Sequence, residues 1–300
     1  MSLLHRLQRS AGHWFVVAPP MIWMLLLFLL PFLIVLKISF SEAIIASPPF
    51  ASLFEFDSEE GTLKAFLRLI NYQYLIEDDL YILAYLNSLK IAAISTAICL
   101  LLGYPIALGI ARSSKRNQPL LLMAVMLPFW TSLLIRVYAW VGILRQDGVL
   151  NNFLLLIGVI DEPVIFMQTS FATYVGIVYA YLPFMILPLF AILEKQDLTL
   201  LEAARDLGSG PIATFLTVTL PLSITGIVAG SMLVFIPVVG EFVIPSLLSS
   251  DSSLMIGRVL WTEFFNNRDW PVASAVAIVM LIALIIPILI FQNQQSKQGG

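Results

Sequence analysis

Few side chains in this sequence are equipped for chemistry, and they fall into two groups. The first centres on Glu241, the one acid inside any of the long apolar runs. An ionisable group at such a depth is costly and marks a functional candidate, and the task that suits a lone carboxylate there is holding a cation. Counting about 1.5 Å per helical residue places it about 9 Å outward of the middle of its helix. Its structural alternative is an ion pair with Arg136 or Lys90, the two bases inside apolar runs. Trp130, Tyr138, Trp140, Tyr174, Tyr181 and Trp261 are candidates to add cation–π contacts, each worth about 0.5 to 2 kcal/mol. Taken singly, each also suits packing or an interfacial anchor. Arg136 would repel a cation if it lined a path, so it reads as structural.

The second group is Leu201-Glu202-Ala203-Ala204-Arg205-Asp206-Leu207-Gly208-Ser209-Gly210-Pro211, closed ten residues later by Leu220-Pro221. These residues suit transmission of force rather than catalysis. Leu198, Leu201, Ala204 and Leu207 outline an apolar stripe on a short helix that ends at Gly208, a residue able to take positive φ. Gly210-Pro211 then opens a second short helix running to Leu220, with proline tolerated at its first position. The bland alternative is a connector that merely caps two helices.

An enzyme needs a cluster, and none can be assembled. The only histidines are His5 and His13, and Cys99 is the single cysteine. No catalytic set and no metal site follow from these. The sequence also lacks Gly-x-x-x-x-Gly-Lys-Ser/Thr, so any ATP that drives it is expected on a partner chain, with no cofactor on this one. No nucleic-acid partner is expected.

What must position these residues is a membrane domain. Of the 300 residues 59% are apolar and 12% charged, with a mean hydropathy of +0.93, whereas soluble domains carry about 25% charged residues. Six apolar runs are long enough to cross about 30 Å of hydrocarbon: 14–36, 83–110, 119–144, 171–193, 222–248 and 272–291. The first is too long for a signal-peptide core and reads as a retained helix. Backbone groups in lipid must be satisfied internally, so the fold class is all-α, a polytopic helical bundle with six transmembrane helices. Prolines 105, 128, 183, 188, 237, 245 and 287 fall inside these runs and can kink them.

Lys and Arg set the orientation. Eight (Arg6, Arg9, Arg112, Lys115, Arg116, Lys195, Arg205, Lys297) lie in the shorter set of connections, which holds both termini, and six in the longer set. Both termini are therefore expected in the cytoplasm. The outer set holds fourteen of the nineteen acids and a net charge of about −8, a surface that would enrich cations nearby. The expected organisation is a cytoplasmic tail at 1–13, a six-span domain at 14–291 and a disordered tail at 292–300. In the first outer loop, 62–75 reads as a short amphipathic helix.

The spacing of the second group has a known counterpart. Glu202-Ala203-Ala204, three residues, Gly208, nine residues, then Val218-Thr219-Leu220-Pro221 resembles the EAA loop of ATP-binding-cassette (ABC) importer permeases. Only Val218, in place of isoleucine, departs from that pattern, a volume-conserving change. The resemblance implies a type I ABC importer permease fold. It further implies that Glu202, Ala203, Ala204, Gly208, Leu220 and Pro221, within a 195–221 loop, form the coupling element that docks in a groove of an ATPase subunit. Expected partners are a second permease, two ATPase subunits, an extracytoplasmic binding protein and membrane lipid, all at a bacterial inner membrane.

Further stretches narrow the cargo. Leu127-Pro128-Phe129-Trp130 and the residues to Trp140, together with 181–189 and 229–242, look like spermidine/putrescine-type permeases, and Gly240-Glu241-Phe242 resembles the putrescine member most. The likeness spans roughly 87–248. It implies a polyamine, a small polycation, and the carboxylate and aromatic candidates named above make Glu241, Trp130, Tyr138, Tyr181 and Trp261 the expected residues of its path. The rivals are the same machine for ferric iron or an aminophosphonate, and an ATP-independent secondary carrier.

Overall fold

In the computed structural model, residues 16–57, 62–65, 68–249 and 254–298 are described; the expected tail at 1–13 lies outside them. The chain divides into two compact units, residues 1–78 with 262–279 and residues 79–261 with 280–300.

In the first unit, α1 (Val16–Ser39) is apolar and largely exposed along its length, as suits a helix facing lipid. Its end is fastened by side chains. The Ser39 hydroxyl shares a 2.8 Å hydrogen bond with the Tyr72 hydroxyl, and the buried Asn71 Nδ2 donates to the Ser39 and Ser41 carbonyls. Between them, β1 (Phe54–Asp57) pairs antiparallel with β2 (Thr62–Ala65), followed by α2 (Ile70–Glu77). The helix expected over 62–75 is thus corrected to a strand and a later helix. The aromatic-rich 54–57 run offers residues 62–65 a backbone partner, which local helical periodicity does not register.

In the second unit, α3 (Asp79–Arg112), α7 (Ser170–Leu193) and α10 (Ile224–Val239) pack on one another. Their contact is lined by small or compact buried side chains, among them Ala92, Cys99, Ala107, Ile177, Met185 and Val234. Without a hydrophobic drive between helices in lipid, such close packing is what holds them together. Around this trio lie α4 (Gln118–Trp130), α5 (Leu133–Leu144) and α6 (Val149–Leu156), the helices α8 (Leu198–Asp206) and α9 (Pro211–Leu222), and the short α11 (Val243–Leu248) and α12 (Ile256–Trp261). Finally α13 (Trp270–Gln298), whose residues up to 279 belong to the first unit, continues to Gln298. The tail expected to be disordered is helical up to that residue, since Gln and Lys are good helix formers.

Among the described residues four helices are long and apolar enough to cross a membrane, and up to six spans result if each of two bent pairs counts as one. The third and fifth spans are therefore broken rather than continuous. Between α4 and α5 the chain turns by 88°. There the run Leu127–Trp130 tightens into a 3-10 turn, Thr131 is extended, and its hydroxyl donates to the Pro128 carbonyl at 2.8 Å. Between α9 and α10 it turns by 65° at Ser223, whose buried hydroxyl bonds Tyr104 and the Leu220 carbonyl. A second break at 240–242 ends α10 short of the expected 248.

Candidate functional site

The 195–222 region, expected to be the coupling element, is assembled by local rules. Asp197 caps α8 by accepting the Thr199 N–H at 2.9 Å, and this bond holds its carboxyl below the ordinary carboxylate range. At the other end Gly208 adopts φ +84°. Its N–H reaches the Arg205 carbonyl at 2.8 Å and the Ser209 N–H reaches the Ala204 carbonyl at 3.0 Å. This is a Schellman arrangement, which needs a left-handed residue that glycine supplies at no steric cost. Gly210 precedes α9 and Pro211 occupies its first position. The helix then widens into a π-type turn over Phe215–Thr219. Pro221 has no N–H to donate one turn back and its ring crowds that carbonyl, which accounts for the widening.

The expected stripe is only half used. Leu201 is buried and Ala204 half-buried, while Leu198 is 54% and Leu207 89% exposed. Steps of three residues walk about 60° backwards around a helix each time, so the ends of that series face opposite ways. Glu202, Ala203 and Gly208 are exposed beside Leu207, and Ile212 on α9 is 75% exposed. Apolar groups this exposed, outside a span, form a surface suited to a partner.

The second site is a cavity of about 520 Å³ lined among others by Phe129, Arg136, Tyr181, Phe184, Ile236 and Pro237. At its edge Tyr181 donates to Glu241 Oε2 at 2.5 Å. Glu241 Oε1 accepts the Val243 N–H at 2.9 Å and the Ile244 N–H at 3.4 Å. The carboxylate is therefore not inside a helix, as expected, but in the break at 240–242, holding the first turn of α11. It does not pair with Arg136 or Lys90, since its partners are Tyr181 and the backbone. Gly257 in α12 abuts the same break, where a Cβ would lie 2.3 Å from the Gly240 carbonyl oxygen. Trp261 stacks on Phe242, with centroids 4.5 Å apart.

No protein-family model matches the sequence. Over 269 residues it is 40% identical to the spermidine/putrescine transport system permease protein PotB of Escherichia coli (strain K12), covering 90% of this chain and 92% of that one. The Haemophilus influenzae protein of the same name is 38% identical over 270 residues, covering 90% and 89%. The chain belongs to the spermidine/putrescine-type ABC permease family. Among solved structures, a chain of a bacterial ABC transporter that imports the acidic polysaccharide alginate superposes with a TM-score of 0.70 at 18% identity, covering 99% of both chains. A chain of the alginate transporter in complex with its alginate-bound periplasmic protein gives 0.76 at 18% identity. The fold is that of an ABC importer permease.

Within this spermidine/putrescine-type permease, the structure brings some expected pathway residues together and not others. Tyr181 and Glu241 are bonded, and Trp261 stands next to them through Phe242. Trp130 and Tyr138 are 74% and 59% exposed and do not line the cavity. Trp140 packs edge-on against Tyr179 and Tyr174 is half-buried. Three cavity residues went unremarked or were set aside in the sequence. Phe129 and Phe184 pack edge to face at 5.2 Å, and Arg136 sits 5.1 Å from the Phe129 centroid. The three-residue step from Tyr181 to Phe184 on one helix face was the available signal. Arg136 does share the cavity, and its buried Nε and Nη1 have no hydrogen-bond partner. The relatives are named for both spermidine and putrescine, so the narrower likeness to a putrescine member is not singled out by them.

Proposed function

We propose that the chain is one half of the translocation path of an ATP-driven polyamine importer of a bacterial inner membrane, with both termini cytoplasmic. Residues 14–291 form the permease domain, and the 195–221 loop couples it to ATPase subunits through Glu202, Ala203, Ala204, Gly208, Leu220 and Pro221. A second permease completes the path, and an extracytoplasmic binding protein delivers the spermidine or putrescine. ATP stays on the partner chains and this one uses no cofactor. The observation that carries the reading is the 40% identity across 90% of the chain to permeases named for these polyamines. The outward-facing Leu207 and Ile212 around the coupling motif support it.

In this mechanism, closure of the ATPase pair pushes on α8 and α9, and the bend at Ser223 passes the push into α10. The cavity supplies aromatic faces and Glu241 supplies the charge for an ammonium group; Trp130, Tyr138 and Trp261 lie along the remaining path. The test is reconstitution with the cognate ATPase and binding protein, comparing putrescine, spermidine and ferric iron side by side. ATP-dependent uptake of a polyamine supports the proposal. Uptake without the ATPase, or of iron alone, overturns it. One observation favours a second reading. Arg136, with unsatisfied donors in the cavity, suits a solute that carries an anionic group, such as an aminophosphonate, which belongs in the same uptake panel.

A further inference from the structure

We propose that a recess between the end of α3 and the coupling helices binds a phosphate-bearing anion. The recess, of about 250 Å³, is lined among others by Leu108, Arg112, Arg205, Thr214, Phe215 and Thr219. Two arginines, both with access to solvent, therefore line one small recess. Neither takes part in an ion pair among the described residues, whereas neighbouring Lys115 is held by Glu194 at 2.8 Å. Two like charges lining one recess that has no carboxylate in its wall repel each other, and an anion between them would remove that repulsion. A phosphate fits this donor set because its oxygens accept the guanidinium fork bidentately, and two arginines match its charge.

The setting gives the phosphate a source. Arg112 is the last residue of an apolar span of 34 residues, so it lies where hydrocarbon gives way to headgroups. Basic pockets between helices at that level take the headgroups of anionic lipids. Leu108 and Phe215 form an apolar wall suited to the glycerol and first methylenes, and Phe215 is itself braced edge-on by Tyr104 at 5.5 Å. A free phosphate compound would satisfy the same two arginines without using that wall. Either occupant ties the end of a span to the coupling helix, since Arg112 belongs to α3 and Arg205 to α8. Its effect on transport rests on the coupling role proposed above, while the binding itself does not.

The test uses the full chain purified with the subunits that accompany it, from bilayers of stated phosphatidylglycerol content, with retained lipid counted by native mass spectrometry. Arg112→Gln and Arg205→Gln are each expected to lower phosphatidylglycerol retention about fivefold, in line with the attraction of a single basic residue for an anionic surface. The corresponding Lys variants should recover part of it. Arg116→Gln, an exposed cation outside the recess, should leave it unchanged. Displacement of the lipid by millimolar inorganic phosphate would assign the site to free phosphate, and resistance to it would assign the site to the lipid; both support the proposal. Equal retention in the Gln variants, or an equal loss in Arg116→Gln, overturns it. So does a loss of ATPase subunits with lipid retention intact, which would make the two arginines docking contacts. Because lipid is counted directly, a failure of polyamine uptake leaves this result readable.

Discussion

The turn at 207–210, in the proposed coupling loop, and the break at 240–242 both interrupt helices at a glycine, yet they are held in opposite ways. The first is exposed and specified locally: an aspartate cap, a Schellman turn and a proline at the next helix start account for nearly every backbone bond in it. The second is buried and specified by distant residues: Tyr181 from α7, Gly257 from α12 and the stacked Trp261 all bear on three residues. An exposed turn leaves its outer face free for another protein. A buried break leaves room inside the chain's own packing, which is what a path through a membrane requires.

The comparison breaks most sharply at Gly208. Gly208→Asp adds a charge to the proposed docking face and forces a side chain into left-handed backbone, a strain of about 1 to 2 kcal/mol. Uptake and ATPase assembly should fall to background while membrane insertion is unchanged; normal uptake in vesicles would sink the coupling assignment. At the buried break, Gly257→Ala pushes a Cβ against the Gly240 carbonyl, and overpacking of this kind costs about 1 to 3 kcal/mol. A lowered unfolding midpoint of the purified protein is expected, and an unshifted one would show that the break is not tightly held.

Smaller effects sharpen the contrast. Glu241→Gln should reduce diamine uptake about tenfold, the equivalent of about 1.4 kcal/mol of lost charge-assisted bonding. Unchanged kinetics would remove Glu241 from the path. Combined with Tyr181→Phe, the double mutant should be less than additive, because the two changes delete one shared hydrogen bond. Full additivity would mean that the bond contributes nothing. The smallest effect is local and depends on pH. Asp197 has a lowered folded-state pKa, so its capping contribution is complete above its unfolded value and is lost as pH falls through the folded one. Amide exchange at Thr199 should speed up selectively in that acidic range, and a flat profile would deny the cap.

Legibility in the sequence followed the range of the forces. The helix ending at Gly208 and the helix starting at Pro211 were readable because caps and prolines act within a few residues. The outward turn of Leu198 and Leu207 was legible in principle from helical geometry alone. The strand at 62–65 was not, since its pairing partner is a separate stretch, 54–57. Glu241 was expected within a helix and instead lies buried in the break between α10 and α11. An apolar run shows where lipid is, and not where the helix inside it stops.

By itself the sequence determined the membrane class, the six apolar runs and the helix ends of the 198–221 stretch, because hydrophobic length and cap chemistry are properties of short stretches. The tertiary structure decided that two spans are broken, that Glu241 is bonded to Tyr181 and to the start of α11, and that Arg136 faces the same cavity as Tyr181. Those outcomes depend on residues brought together from different helices, and a freed backbone group or a buried charge has no preferred partner until the packing supplies one.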